Sequence, residues 1–142
     1  MPYAGGLPVI GAVDKTGDTM SGDLTLQSNL YKKVTITTID AQNGTPTIAQ
    51  LLGGVIAHNS KTGSGTLTTP TGAQISAGIT GVAIGHSFDV LYDNYGNQTV
   101  TVTAGASGVT VKGTAAVTTL KCAILRFVCT AANTWNVYVI WG

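Results

Sequence analysis

Apolar and polar positions alternate along much of this chain with a period of two. From Gln98 to Ala104 the threonines at 99, 101 and 103 fall on one side and Val100 and Val102 on the other, the pattern of a half-buried strand. From Thr134 to Trp141, Trp135, Val137, Val139 and Trp141 share one face, and Asn136, Tyr138 and Ile140 the other. Residues 86–92 and 109–112 read as further strands. Residues 120–130 are apolar on both faces, with Ala123, Leu125 and Phe127 against Cys122, Ile124 and Val128. Such a strand is central, or is covered by a neighbouring subunit. Turn residues punctuate the run at 93–97, 105–108 and 131–133.

The first third reads differently. Residues 1–15 carry isolated apolar residues (Leu7, Val9, Ile10, Val13) among Gly and Pro with no period, as expected of an extended arm that orders against a partner. Leu24 and Leu26 share one face of a short strand. Residues 34–39 form a second strand, and the Asn43-Gly44 pair reads as a turn. Two capping-box spacings follow, Thr47 with Gln50 and Thr71 with Gln74. Each predicts a short helix, the first of one or two turns before Gly53-Gly54 and the second over about 71–79. Asn59 to Thr66 reads as a polar loop.

These elements predict a mainly β fold. The strands are short, sequential and joined by turns, so an antiparallel β-sandwich of jelly-roll type is expected, with one or two short helices and an extended N-terminal arm. The boundary falls near residue 44, giving an arm and attachment segment over 1–44 and a body over 45–142. No repeat of fixed period stands out, which argues against a β-helix or a collagen-like rod.

Composition narrows the function. Charged residues make up 9% of the 142, Glu is absent and the net charge is +1, so no field gathers nucleic acid or anionic lipid. Mean hydropathy is +0.30, high for a soluble monomer. Apolar surface hidden between subunits would account for it. No run approaches the ~20 apolar residues of a membrane span, and the N-terminus lacks a secretory signal pattern. Cys122 and Cys129 on one extended strand would lie roughly 23 Å apart, too far for a disulfide. Both are expected free and mostly buried, which fits synthesis in a reducing cytoplasm.

Candidate chemistry is sparse. The six Asp, at 14, 18, 23, 40, 89 and 93, sit mostly beside Gly, Asn or Thr in predicted turns, where Asp caps the backbone. His86 and Ser87 are strand neighbours that point to opposite faces. His58 and His86 are single and distant, and the cysteines lack metal-ligand spacing. No cofactor, metal or catalytic residue is therefore expected. Arg126, inside the most apolar strand, needs a partner or a route to solvent. It either snorkels at a sheet edge or forms an inter-subunit ion pair with Asp89 or Asp93. Tyr92, Tyr95, Trp135, Tyr138 and Trp141 could serve a sugar platform, although Trp at alternating positions more often builds core or interface.

The segment Gly17-Asp18-Thr19-Met20-Ser21-Gly22-Asp23-Leu24 resembles a segment common in bacteriophage fibre and related virion proteins. Looser similarity to phage β-rich modules runs through Ala-Gln-Leu-Leu-Gly-Gly-Val-Ile (49–56), Ile-Gly-His-Ser-Phe-Asp-Val (84–90), Asn-Gln-Thr-Val-Thr-Val-Thr-Ala-Gly (97–105) and Gly-Val-Thr-Val-Lys-Gly (108–113). The resemblance implies a homotrimeric, non-enzymatic virion protein made in the host cytoplasm and placed on the virion surface. No long shaft is visible. That favours a capsid decoration (cement) protein or head fibre, bound to the major capsid protein or another virion component, over a tail-fibre tip recognising host glycan. Neither nucleic acid nor membrane is an expected partner. Met20, Leu24, Leu26 and Arg126 are the expected assembly residues, the first three near a three-fold axis.

Overall fold

The computed structural model describes residues 33–141, which belong to one compact unit. Their elements run β1 (Thr35–Ile39), β2 (Asn43–Gly44), α1 (Ile48–Leu52), β3 (Gly54–His58), β4 (Gly65–Thr68), α2 (Gly72–Ala77), β5 (Ser87–Asn94), β6 (Val100–Thr103), β7 (Val109–Lys112), β8 (Ala116–Val117), β9 (Lys121–Ala131) and β10 (Thr134–Ile140). The fold is mainly β, with two short helices and two mixed sheets. The larger sheet has the order β1-β3-β5-β9-β10-β7 and the smaller β2-β4-β6-β8. Their inner faces share one core. Ile56, Val90, Tyr92, Leu125, Phe127, Trp135 and Val137 come from the larger sheet, Leu67, Val100, Val102 and Val117 from the smaller, and Leu51 and Ile75 from the helices.

The antiparallel expectation is corrected. Five strand pairings are parallel, β1 with β3, β3 with β5, β2 with β4, β4 with β6 and β7 with β10. Three are antiparallel, β5 with β9, β9 with β10 and β6 with β8. The reason lies in the path of the chain. Consecutive strands of the first half lie in different sheets, so a short connection between them is not a hairpin. The chain runs along the larger sheet, crosses to the smaller and returns to lay its next strand parallel to the first. The pairs β1–β2, β3–β4 and β5–β6 are three such coils, stacked as in a short solenoid. Parallel neighbours of this kind are not those of an antiparallel jelly roll.

The repeat that the coils imply is present but short. Thr45-Pro46-Thr47-Ile48-Ala49-Gln50-Leu51 recurs 24 residues later as Thr69-Pro70-Thr71-Gly72-Ala73-Gln74-Ile75. Both copies follow a strand of the smaller sheet and build the same helix start. The hydroxyls of Thr47 and Thr71 accept from the Gln50 and Gln74 amides, and each Gln side chain accepts from the amide of its capping Thr. Each helix contributes one large side chain to the core, Leu51 and Ile75. The coils touch backbone to backbone. A Cβ at Gly65 would fall on the carbonyl of Gln42, and one at Gly105 would lie 2.6 Å from the carbonyl oxygens of Thr69 and Pro70. Threonines bond between coils, Thr68 Oγ1 to Thr103 Oγ1 at 2.9 Å, a use of Thr that its polarity alone does not suggest.

Two boundaries also shift. β1 and β2 pair with β3 and β4, so residues 35–44 belong to the body rather than to an arm ending at 44. Asn43–Gly44 is a strand, not a turn. The expected loop over 59–66 ends earlier, because Gly65 already opens β4. The arm over 1–15, the strand at Leu24 and Leu26, and Met20 lie outside the described residues.

Candidate functional site

Alternation gives the larger sheet two unlike faces. On the inner face Val90, Leu125, Phe127, Trp135 and Val137 are fully buried. The outer face takes the other parity of the same strands, and pairing register places its residues in rows. Ile36 of β1 stands opposite Val55 of β3, Val55 opposite Leu91 of β5, Leu91 opposite Ile124 of β9, and Ile124 opposite Ile140 of β10. Five aliphatic side chains thus form one unbroken row across five strands. Four intervals at ~4.8 Å make it about 19 Å long. Ile36 is 64% exposed, and Leu91, Ile124 and Ile140 are 42–44% exposed.

Polar residues border the row. On one side stand Asp89, Arg126, Tyr138 and Lys112, opposite one another in turn. Arg126 donates to Asp89 through Nε and Nη2, both at 2.8 Å, in a bidentate pair. The hydrogen bonds and charge of Asp89 push the guanidinium pKa further up. On the other side Asp93 faces Cys122, whose Sγ lies 3.4 Å from Asp93 Oδ1. Partial burial pushes the Cys122 thiol up, and the Asp93 hydrogen bond and charge push the same way. At the β10 end of the row, Leu91, Cys122, Ala123, Ile124, Ile140 and Trp141 line a shallow groove of ≈ 300 Å³.

Arg126 therefore lies on a central strand between β5 and β10, not at an edge, and its carboxylate partner belongs to its own chain. The two cysteines are free, as expected, but only Cys129 is buried; Cys122 is exposed on the outer face. Among the aromatic candidates, Tyr92 and Trp135 are fully buried in the core. Trp135 donates to Ser76 Oγ at 3.0 Å. Tyr95 and Tyr138 are exposed, and Trp141 donates to the carbonyl of Thr114.

The interior holds a buried histidine–tyrosine pair. His58, wholly buried, lies with Nδ1 2.9 Å from the Tyr92 hydroxyl and Nε2 2.8 Å from the carbonyl of Ala41. A carbonyl can only accept, so Nε2 carries the proton and Nδ1 accepts from Tyr92. The imidazole ties β3 and β5 to the corner between β1 and β2. Burial, with the Asp93 charge adding to it, pushes the Tyr92 phenol well above its ordinary value. Sealed from solvent and fully engaged, this pair holds the coils together. His86 accepts from the Ala83 amide through Nδ1 and is not joined to Ser87. Among the described residues no group of three or more His, Cys, Asp or Glu is placed to hold a metal ion, and no helix is long and apolar enough to cross a membrane.

Sequence alternation separated the faces of residues 98–104 and 134–141 but did not reveal the row. Ile36 and Val55 are 19 residues apart and Val55 and Leu91 are 36 apart, so only the register joins them. Comparison of the chain with protein-family models, with curated proteins and with solved structures finds no match.

Proposed function

We propose that this chain is a non-enzymatic structural protein of a virion, a homotrimer that decorates the capsid surface as a cement or head-fibre protein. The observation that carries the reading is the exposed aliphatic row on the outer face of the larger sheet. Isolated exposed apolar residues are ordinary, but a contiguous patch bordered by polar groups marks a surface that protein covers. A low-charge chain of positive mean hydropathy fits a subunit that works in assembly. The Gly17–Leu24 resemblance supplies the virion context, and Met20, Leu24 and Leu26 are its assembly residues near the three-fold axis. Three linked arms would raise avidity for a capsid beyond that of one.

The alternative, a receptor-binding tip for host glycan, loses two of its aromatic candidates, because Tyr92 and Trp135 are core residues. Incubating the purified full-length chain with undecorated capsids, then pelleting, tests the choice. The cement reading predicts saturable co-sedimentation and no host-cell adsorption. Adsorption to host cells without capsid binding contradicts it.

A further inference from the structure

We infer that the aliphatic row on the outer face of the larger sheet is covered by the other copies of this chain in the assembled protein, the rows of the three copies meeting about the three-fold axis. This deepens the homotrimer reading and rests on it. Three observations favour a copy of the same chain over a foreign partner. First, the row is uniform: Ile36, Val55, Leu91, Ile124 and Ile140 are all medium-sized aliphatics at regular spacing, a surface whose ridges fit the grooves of another like it. Second, the charges of the face are balanced. Asp89 and Arg126 pair with each other within the chain, which leaves Asp93 on β5 and Lys112 on β7 as charges of opposite sign on the face. The face therefore attracts no partner of one sign, but a rotated copy can bring its Asp93 toward this Lys112. Third, the exposed parts of Val34, Ile36, Leu91, Ile124, Tyr138 and Ile140 come to on the order of 500 Å², within the range of the largest apolar patches on monomers and more than half of the ~800 Å² per partner of a stable interface. The polar rim can supply the rest.

Cys122 is a reporter already in place. It stands on the same face, two residues from Ile124, and is exposed in the isolated chain, while Cys129 is buried. The experiment measures maleimide labelling of Cys122 and light-scattering mass on the full-length wild-type chain and on Ile124→Asp and Leu91→Asp. Thr110→Asp, on edge strand β7 and outside the row, is the control. Near-ultraviolet circular dichroism confirms that each variant keeps its buried tryptophan packed. The wild type and Thr110→Asp should be oligomeric and label slowly. Both row variants should fall to single chains and label at least ten times faster. An oligomeric wild type whose mass and labelling are unchanged by the row variants overturns the inference and leaves the homotrimer standing. A monomeric wild type with fast labelling overturns both. Protection of Cys122 only after capsids are added also overturns the inference, by making the occupant a foreign protein.

Discussion

The two faces of the six-stranded sheet are built from the same strands and nearly the same residue types, yet they do different work. On β9, Ala123 and Leu125 are buried while Ile124, between them in the chain, is 42% exposed. The inner face is covered within the chain: Phe127 stacks on Phe88 with centroids 4.7 Å apart and planes 3° from parallel, and His58 and Tyr92 pair with each other. The outer face is apolar in one row, charged on either side, and unfinished in a single chain. Residue type alone does not separate core from interface. In the proposed assembly, what separates them is whether the other layer belongs to the same chain.

Substitutions on the inner face should cost most. Phe127→Ala removes the ring stacked on Phe88, which also meets Trp135 edge to face, and leaves a cavity in the core. It should lose about 3–5 kcal/mol in denaturant unfolding. His58→Leu strands the Tyr92 hydroxyl and the Ala41 carbonyl, and should cost about 1–3 kcal/mol. Adding Tyr92→Phe should then cost less than it does in the wild type, since the hydroxyl is already unpaired. The inner face should also show in alkali. The folded state holds the Tyr92 proton above the ordinary tyrosine pKa, so the unfolded chain releases it first, and stability should fall as pH rises above about 10. Thermal melts between pH 8 and 11 should lose part of that slope in Tyr92→Phe.

Outer-face changes should be smaller and of another kind. Asp93→Asn removes an acceptor and a charge beside Cys122. The labelling–pH profile of that thiol should move to lower pH in a row variant, where the thiol is free to react, because labelling needs the thiolate. The melting temperature should barely change. The smallest change concerns Leu120, which sits at φ 57 and is 72% exposed. Leu120→Gly relieves a left-handed backbone and should stabilise by up to about 1 kcal/mol.

Most elements were legible locally. The Thr47–Gln50 and Thr71–Gln74 boxes announced both helices, because capping chemistry is complete within four residues. The alternation from Trp135 to Val139 gave the buried face of β10. Sheet topology was not legible in this way. A period of two says that a strand has two faces but not which strand lies beside it, and here the neighbours are separated by a full coil. The recurring Thr-Pro-Thr-x-Ala-Gln was the available clue. Its reach is short because the intervening strands share parity rather than residues, and because Ile48 gives way to Gly72. There a Cβ would strike the carbonyls of Asn133 and Gly108. β8, of two residues, has no local signal at all. For the site, the two faces of β10 could be read from alternation, β9 read as apolar on both faces, and Arg126 was singled out as the charge needing an account. Its pairing with Asp89, and the row from Ile36 to Ile140, depend on register between distant segments.

The central claim is that this outer face is completed by copies of the same chain. Sedimentation equilibrium of the wild type and of Ile124→Asp, at micromolar concentration, tests it most directly. The account predicts a species of three times 14.4 kDa for the wild type and a folded single chain for the variant. Equal masses for the two proteins, whether three chains or one, would contradict it.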